Sequence, residues 1–455
     1  MATTTEIERN AMTHESLMHT ESLCPICLRV LEAFIVEESD HALMIKTCPE
    51  HGSFETVLWR SKTPMREWIR TKERAYINNP MTEIDKGCPF DCGLCSAHRQ
   101  HTCTALIEVT LRCNLSCRFC FADALDAKSN DPTLAQLRFQ FESILKASGR
   151  CNIQLSGGEP TVRDDLAEIV SMGVSLGFPF IQVNTNGIRM GKDEAYVKAL
   201  KEAGLSSIFL QFDGIDDAIY EKLRGKGLFA VKAQAIENCR KYGIGVVLVP
   251  TIVPHVNVDS IGDIVRFGIS HSPTVRGVHF QPVSYFGRIP EPPKDEDRIT
   301  LPEVMEQICE QTHHMVEMQS MKPPGCENAL CSFHGNYLIE EGSLKPVTKR
   351  SCCSSDSEKA EEGANKAKAF VARNWSYQKQ VEEKLSDWDK ILSAIANNAF
   401  SLSGMAFQDA WNVNLERIRD CCIHVSTVEG KLIPFCMYNI TNMDGTSLYR
   451  EAKRA

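Results

Sequence analysis

Three cysteines, Cys113, Cys117 and Cys120, constrain this chain more than any other feature of the sequence. They are spaced C-x3-C-x2-C directly after an apolar run, Ala105 to Leu111, that is typical of a buried β-strand. A loop this short can direct three thiolates to one face, and soft thiolate ligands select iron–sulfur clusters. Three ligands leave one iron of a [4Fe–4S] cluster open, so the loop predicts a cluster that binds a small molecule at that iron. The alternative is a zinc knuckle.

Strand and helix patterns alternate after this loop, which favours parallel βα units. In folds of this kind the ligand binds at the carboxyl ends of the strands. The sequence therefore predicts an α/β fold, a partial (β/α)6 barrel, with its site in the segments that follow the strands. We expect the strands at Ala105–Leu111, Asn152–Leu155, Phe180–Asn184, Ser207–Phe212, Val246–Ile252 and Val278–Pro282.

Polar and glycine-rich segments follow three of these strands. A G-G-E-P segment after the second strand allows the backbone to approach a ligand, and its glutamate can accept from an ammonium group. The segment after the third strand offers side chains that reach hydroxyl groups. The aspartate after the fourth either contacts a ligand or caps a turn. These candidate binding residues are Gly157, Gly158, Glu159, Asn184, Thr185 and Asp213.

The cysteine spacing and the G-G-E-P segment about 40 residues later resemble the radical S-adenosylmethionine (SAM) superfamily. The resemblance implies that Cys113, Cys117 and Cys120 hold the [4Fe–4S] cluster that binds SAM, and that the G-G-E-P segment binds the SAM amino group. It implies that Asn184 or Thr185 lies on the ribose side. It also implies reductive cleavage of SAM to methionine and a 5′-deoxyadenosyl radical, which abstracts hydrogen from an unactivated C–H bond, with electrons from a ferredoxin- or flavodoxin-type donor.

Other cysteines indicate further metal sites. Cys24, Cys27, Cys48 and His51 fit a rubredoxin- or zinc-ribbon-like knuckle for one Fe or Zn; alternatively, His51 caps a turn. A second C-x3-C-x2-C set with a nearby fourth thiol predicts an auxiliary [4Fe–4S] cluster, and no strand precedes it as one precedes Cys113. That set is Cys88, Cys92 and Cys95, completed by Cys103. A second auxiliary cluster is predicted from Cys326, Cys331, one of Cys421 and Cys422 (we favour Cys422) and Cys436.

The whole cysteine array resembles an archaeal-type group that includes tetraether lipid synthases and enzymes assigned as 7,8-dihydro-6-hydroxymethylpterin methyltransferases. From this resemblance we expect carbon–carbon bond formation on lipid alkyl chains, with methylation of a pterin as the alternative. A lipid substrate would require a long apolar groove, whereas a pterin would require a compact polar pocket. A non-catalytic iron–sulfur electron carrier is disfavoured, because a carrier does not need the G-G-E-P segment.

Composition limits the partners and the compartment. A formal charge of −9 argues against a nucleic-acid partner. We expect a cytoplasmic enzyme, because no signal peptide or apolar run of about 20 residues is seen. Exposed clusters of low potential indicate an anaerobic host. With a lipid substrate it would act peripherally at the inner face of the membrane. In a reducing compartment the 20 cysteines indicate metal sites rather than disulfides. The predicted units are 1–80 (metal knuckle), 81–104 (auxiliary-cluster loop), 105–290 (radical SAM core) and 291–455 (C-terminal auxiliary-cluster lobe).

Overall fold

The computed structural model describes residues 16–124, 130–347, 359–377 and 395–450. Its N-terminal part is an antiparallel four-stranded sheet in the order β1-β2-β3-β4. Alternate residues of the third strand are buried, so one face of this sheet packs on a small core that includes Met44 and Trp59. The two turns that hold the predicted knuckle connect the first strand to the second and the third to the fourth. The strands are β1 (Ser16–Leu23), β2 (Val30–Glu37), β3 (His41–Cys48) and β4 (Gly52–Arg60).

The main body is one twelve-stranded sheet whose central strands are parallel. All six strands expected from the sequence are present in it, because each is an apolar run buried on both faces. This confirms the α/β partial barrel. The strands are β5 (Thr104–Thr110), β6 (Asn152–Gly157), β7 (Ile181–Thr185), β8 (Ser207–Gln211), β9 (Gly245–Val249), β10 (Thr251–Ile252), β11 (Val275–Pro282), β12 (Ser332–Glu340), β13 (Ser343–Pro346), β14 (Ala399–Met405), β15 (Ile423–Ser426) and β16 (Leu432–Pro434).

Residues beyond 290 extend this sheet at both of its edges. Strand β14 pairs in parallel with β11, and β15 pairs in parallel with β5 at the opposite edge. Antiparallel strands lie outside them, β12 and β13 beyond β14, and β16 beyond β15. The segment predicted as a C-terminal lobe is thus structurally continuous with the core, and the boundary at 290/291 remains a prediction from sequence.

Helices cover the outer face of the parallel strands. The helix after β5 illustrates their local signals: Thr133 and Gln136 form a capping box, and Gly149 ends the helix with a positive φ. The helices are α1 (Met65–Trp68), α2 (Leu134–Ser148), α3 (Leu166–Ser175), α4 (Ile188–Lys192), α5 (Glu194–Glu202), α6 (Asp217–Arg224), α7 (Phe229–Tyr242), α8 (Ile261–Ser270), α9 (Leu301–Gln311), α10 (Ala360–Asn374), α11 (Leu415–Arg419) and α12 (Phe435–Asn439). None of the described helices has the length and apolar character needed to cross a bilayer.

Helix α10 packs against β6 and β14. Sequence patterns favour a linker or an exposed helix from Cys352 to about Ala367; Cys352 itself lies outside the described residues. The described part is helical, and the chain leaving it inserts Trp375 between β8 and β14. The Trp375 indole Nε1 donates to Ser401 Oγ at 3.1 Å, and the ring packs on Phe209 at a centroid distance of 5.5 Å. Helix α10 therefore borders the interior of the barrel.

Candidate active site

The three-cysteine loop follows β5 and is fixed by backbone hydrogen bonds to two other segments. Arg118 N donates to Leu223 O at 3.1 Å, and Cys120 and Arg288 exchange a pair of backbone hydrogen bonds at 3.0 and 2.9 Å. The side chains of Cys113, Cys117 and Cys120 are half-buried and all line one cavity. Three thiols presented by one short loop to a cavity suit a cluster with an open iron.

Burial controls the protonation of these thiols. It raises the pKa of Cys113 to about 12, since the thiolate would be poorly solvated and the carboxylate of Glu159 lies nearby. It raises the pKa of Cys120 as well. The Cys113 and Cys120 thiols would therefore be protonated near neutral pH, and binding of a metal cluster would be coupled to release of their protons.

The cavity has a volume of about 1910 Å³ and runs through the interior of the barrel. Its lining includes the cysteine loop at the carboxyl end of β5 and also Cys103, which immediately precedes the amino end of that strand. Because strands rise about 3.3 Å per residue, six residues separate these two ends by roughly 20 Å. The volume is well above the roughly 300–1,000 Å³ of a usual small-molecule pocket. The space can accommodate SAM together with a second molecule.

The G-G-E-P segment touches the cysteine loop with its backbone. Gly158 N donates to Thr110 O and Glu159 N donates to Arg112 O, both at 2.8 Å. A Cβ atom on Gly158 would collide with the Arg112 carbonyl. Glycine is thus required for the close approach of β6 to the loop, and both predicted glycines, Gly157 and Gly158, line the cavity.

The carboxylate of Glu159 is occupied by protein donors. The side chain is buried, and it accepts from Thr161 N at 3.0 Å, from Thr161 Oγ1 at 2.6 Å, from Thr185 Oγ1 at 2.7 Å and from Asn186 N at 2.6 Å. Glu159 thus connects the segment that follows β6 to the segment that follows β7, and Thr185 provides one of the hydrogen bonds of this connection. Asn184, in contrast, lines the cavity and has a buried Oδ1 for which the described residues supply no partner. An unpaired buried acceptor fits a bound SAM molecule.

Asp213 lies behind the cavity wall in a buried ion pair. Its carboxylate accepts from Arg224 Nε and Nη2, both at 2.8 Å, and the two side chains are 0% and 8% exposed. Of the two, only Arg224 lines the cavity. Burial opposes the charge on Arg224, but the charges of Asp213 and Cys117 outweigh it and raise the pKa of the guanidinium. Arg224 is not distinguished in the sequence, because a basic residue in the last turn of an amphipathic helix is an ordinary feature.

The N-terminal knuckle assembles as predicted. The metal-ligating atoms of Cys24, Cys27, Cys48 and His51 all lie within 4.8 Å of one another. His51 Nδ1 is 3.6 Å from Cys24 Sγ and 3.4 Å from Cys48 Sγ, so the histidine faces the site rather than capping a turn. Two ligands from each turn, three thiols and one imidazole in all, form a closed mononuclear site for Zn or Fe.

The auxiliary thiols pair in part as predicted, because Cys326 lies beside Cys422, but Cys103 joins this pair. Cys103 lies with Cys326 and Cys422, their sulfur atoms within 4.8 Å, and does not complete the Cys88 set. Parallel pairing of β15 with β5 is the reason, since it brings Cys422 beside Cys103. The sulfur atoms of Cys103 and Cys326 are in contact, but their Cα atoms are 7.8 Å apart, beyond the usual disulfide range of about 4.4–6.8 Å. A third buried thiol beside them favours a ligand set, and this set lines the large cavity.

The remaining thiols form two neighbourhoods. The Cys92 thiol is hydrogen-bonded to the Cys88 thiol. This hydrogen bond, burial and the charge of Cys95 all raise the pKa of Cys92. The sequence predicts Cys331 and Cys436 in one cluster with Cys326 and Cys422. Burial and the charges of Cys436 and Cys331 raise the pKa of Cys421, and burial and the charges of Glu327, Cys421 and Cys331 raise the pKa of Cys422, so Cys331 lies near both. Burial likewise raises the pKa of Cys436 to about 12.

Two family models match the chain. The "Radical SAM superfamily" model matches residues 107–268, and the "HMPTM N-terminal zinc ribbon domain" model matches residues 16–60. The first covers β5 to α8 with the cysteine loop, and the second covers the four-stranded sheet with the knuckle. Both matched segments coincide with the metal-binding units that the geometry defines.

Similar proteins are known from archaea and from an animal. The chain is 36% identical to "7,8-dihydro-6-hydroxymethylpterin dimethyltransferase" of Methanocaldococcus jannaschii, over 92% of this chain and 93% of that protein. It is 33% identical to "Fe-coproporphyrin III synthase" of Methanosarcina barkeri over 40% of this chain and 44% of that protein. It is 28% identical to "Molybdenum cofactor biosynthesis protein moc-5" of Caenorhabditis elegans over 52% of this chain and 38% of that protein. Only the first of these three spans both ends of the chain.

Proposed function

The chain belongs to the radical SAM superfamily, in the branch with an N-terminal HMPTM zinc ribbon, and from this premise we propose that it methylates a pterin-class heterocycle. One observation carries the proposal: the M. jannaschii relative named as a pterin dimethyltransferase matches nearly the full length of both chains. Coupling of lipid alkyl chains is the main expectation from the sequence, and pterin methylation is its alternative. The named relative supports the alternative better.

The residues of the cavity wall suit SAM. When bound, the cluster and SAM supply a 5′-deoxyadenosyl radical and methionine at the open iron, or a methyl group for transfer. Cys113, Cys117 and Cys120 would hold the cluster. Arg224, oriented by Asp213, would pair with the carboxylate of the methionine moiety, because it is the buried cation beside Cys117 on the cavity wall. The surrounding barrel would exclude water from the reacting centre.

Electron supply and setting are part of the proposal. A ferredoxin- or flavodoxin-type donor would deliver electrons, and the thiol set at Cys103, Cys326 and Cys422 lies on the wall of the same cavity. That set would hold an auxiliary cluster in reach of the substrate. A reducing, cytoplasmic setting would keep these thiols available for metal.

Coupling of lipid alkyl chains remains a second candidate because of the size of the cavity. The volume of about 1910 Å³, extended over roughly 20 Å, is well above the roughly 300–1,000 Å³ of a usual small-molecule pocket and leaves room for a long substrate. A lipid-coupling enzyme would act peripherally at a membrane and would leave the methyl group of SAM on methionine.

The test uses SAM labelled with deuterium in its methyl group. Reconstituted enzyme, reductant and 7,8-dihydro-6-hydroxymethylpterin are incubated anaerobically, and products are analysed by mass spectrometry. Methyl transfer predicts a labelled pterin. A Cys113→Ala variant should give none, whereas Cys151→Ala, which alters only a buried cysteine of the hydrophobic core, should remain active. Methionine that retains all the label, with deuterium from a deuterated glycerolipid in 5′-deoxyadenosine, would refute pterin methylation in favour of coupling.

A further inference from the structure

We propose that the middle of the cavity binds a neutral, planar heterocycle carrying N–H groups, through a set of five side chains that we call the lumen subsite. The inference rests on the proposed function, from which it takes that substrate and SAM bind in the same cavity. It adds the residues that recognise the substrate. The lumen subsite consists of Gln154, Phe209, His279, Trp375 and Ser403, all of which line the cavity.

Three of these side chains form an aromatic wall. The ring of Phe209 lies 5.2 Å from His279 and 5.5 Å from Trp375, and His279 and Trp375 meet edge to face at 6.0 Å. All three are mostly buried, yet each contributes surface to the cavity. A rigid aromatic wall of this kind favours stacking with a flat ring system.

His279 adds a neutral hydrogen-bonding group to this wall. Its Nδ1 lies 2.8 Å from Ser403 Oγ, which leaves Nε2 for a ligand. Burial lowers the pKa of the imidazole to about 4, so the ring is uncharged at neutral pH. Depending on the tautomer, Nε2 then donates or accepts one hydrogen bond.

Gln154 supplies an acceptor whose orientation is fixed by its neighbours. Its Nε2 donates to Gln182 Oε1 at 2.9 Å, and Gln182 Nε2 in turn donates to Ser207 Oγ at 3.2 Å. This bond uses one of the two N–H groups of Nε2 and orients the amide so that Oε1 can accept from a ligand. Gln154 lies two strands from β8, which carries Phe209, and two strand spacings are about 10 Å. A bicyclic ring spans such a distance.

The chemistry of the lumen subsite distinguishes the two candidate substrates. All five side chains are uncharged, so a neutral ligand is favoured. An alkyl chain in this position would leave the Gln154 oxygen and the His279 nitrogen without partners, and unpaired groups that lose water are costly. A heterocycle with ring N–H and amino groups pairs with both and stacks on the aromatic wall, as a pterin does.

The test measures binding to reconstituted holoenzyme with SAM present. The probe is 6-hydroxymethylpterin in anaerobic equilibrium dialysis, its free concentration read from its fluorescence in the protein-free chamber. Gln154→Met is expected to raise the Kd at least tenfold, as is His279→Leu. Gln140→Met is the control, because Gln140 is a buried amide (2% exposed) on α2 that does not line the cavity. Its Kd should equal that of the wild type.

A ligand change supports the same test without altering the protein. The lumazine analogue, with a carbonyl in place of the 2-amino group, should bind the wild type at least tenfold more weakly than the pterin. Equal affinity of Gln154→Met, His279→Leu and wild type would overturn the lumen subsite, even with pterin methylation intact. Absence of pterin binding by the wild type, together with absence of label transfer, would overturn the lumen subsite and the proposed function together.

Discussion

The ion pair between Asp213 and Arg224 permits a sharp test of how the SAM site is built. Asp213→Asn removes the negative charge that faces a guanidinium only 8% exposed, and it disrupts two hydrogen bonds of 2.8 Å. Removing one partner of a buried pair leaves an uncompensated charge and costs about 3–5 kcal/mol. A second buried pair, Arg298 with Asp409 at 2.9 and 3.0 Å, has 6% and 0% exposure. Asp409→Asn is therefore the matched control.

Both variants should lose a similar free energy of unfolding, measured from the shift in denaturant midpoint by circular dichroism. Only Asp213→Asn should also weaken SAM binding, by at least tenfold in equilibrium dialysis, because Arg224 lines the cavity and Arg298 does not. Since folded proteins have about 5–15 kcal/mol of stability, both variants should remain folded. Unchanged SAM affinity in Asp213→Asn at a comparable loss of stability would refute the role of Arg224.

Three further outcomes are expected. Cys27→Ser should lose one equivalent of metal per chain by elemental analysis, whereas Cys151→Ser, in the barrel core, should lose none. Burial lowers the pKa of Lys232 from 10.5 to about 7. Between these two pH values the unfolded chain binds more protons than the folded one, so the free energy of unfolding should rise with pH. The Lys232→Met variant should show a smaller rise when denaturation is measured as a function of pH. Gly158→Ala should abolish SAM binding in dialysis, because its Cβ would meet the Arg112 carbonyl; retained binding would contradict the close packing of the two segments.

The parts that sequence predicted well are governed by local patterns. The buried strands are continuous apolar runs in the sequence. The candidate binding segments are then the polar residues that directly follow each run. A helix over Met65–Ile77 is also expected from local pattern, but only Met65–Trp68 is helical. Farther along, Glu73 forms a β-bridge with Lys359 and Ala75 N donates to Arg99 O, so tertiary pairing replaces the helix.

The thiol sets could not be assigned from spacing because their membership depends on strand pairing. Cys103 and Cys422 are more than three hundred residues apart in sequence, yet they meet because β15 aligns with β5. Strand β15 has only four residues and β14 contains serine and glycine, so neither gives a strong strand signal. Glu159 illustrates a different limit: its residue type fits a ligand for an ammonium group, but its four protein donors are visible only in three dimensions.

The placement of β14 and β15 also bears on how the protein is made. A ribosome releases β5 to β11 long before residues 399–426, so the parallel sheet first exists with both edges unpaired. Pairing of chain segments so distant in sequence is slow, and open edges invite association between nascent chains. We therefore expect the nascent barrel to depend on chaperones until β14 and β15 emerge. Insertion of a cluster at Cys103, Cys326 and Cys422 should be among the last steps of maturation, because Cys422 directly precedes β15.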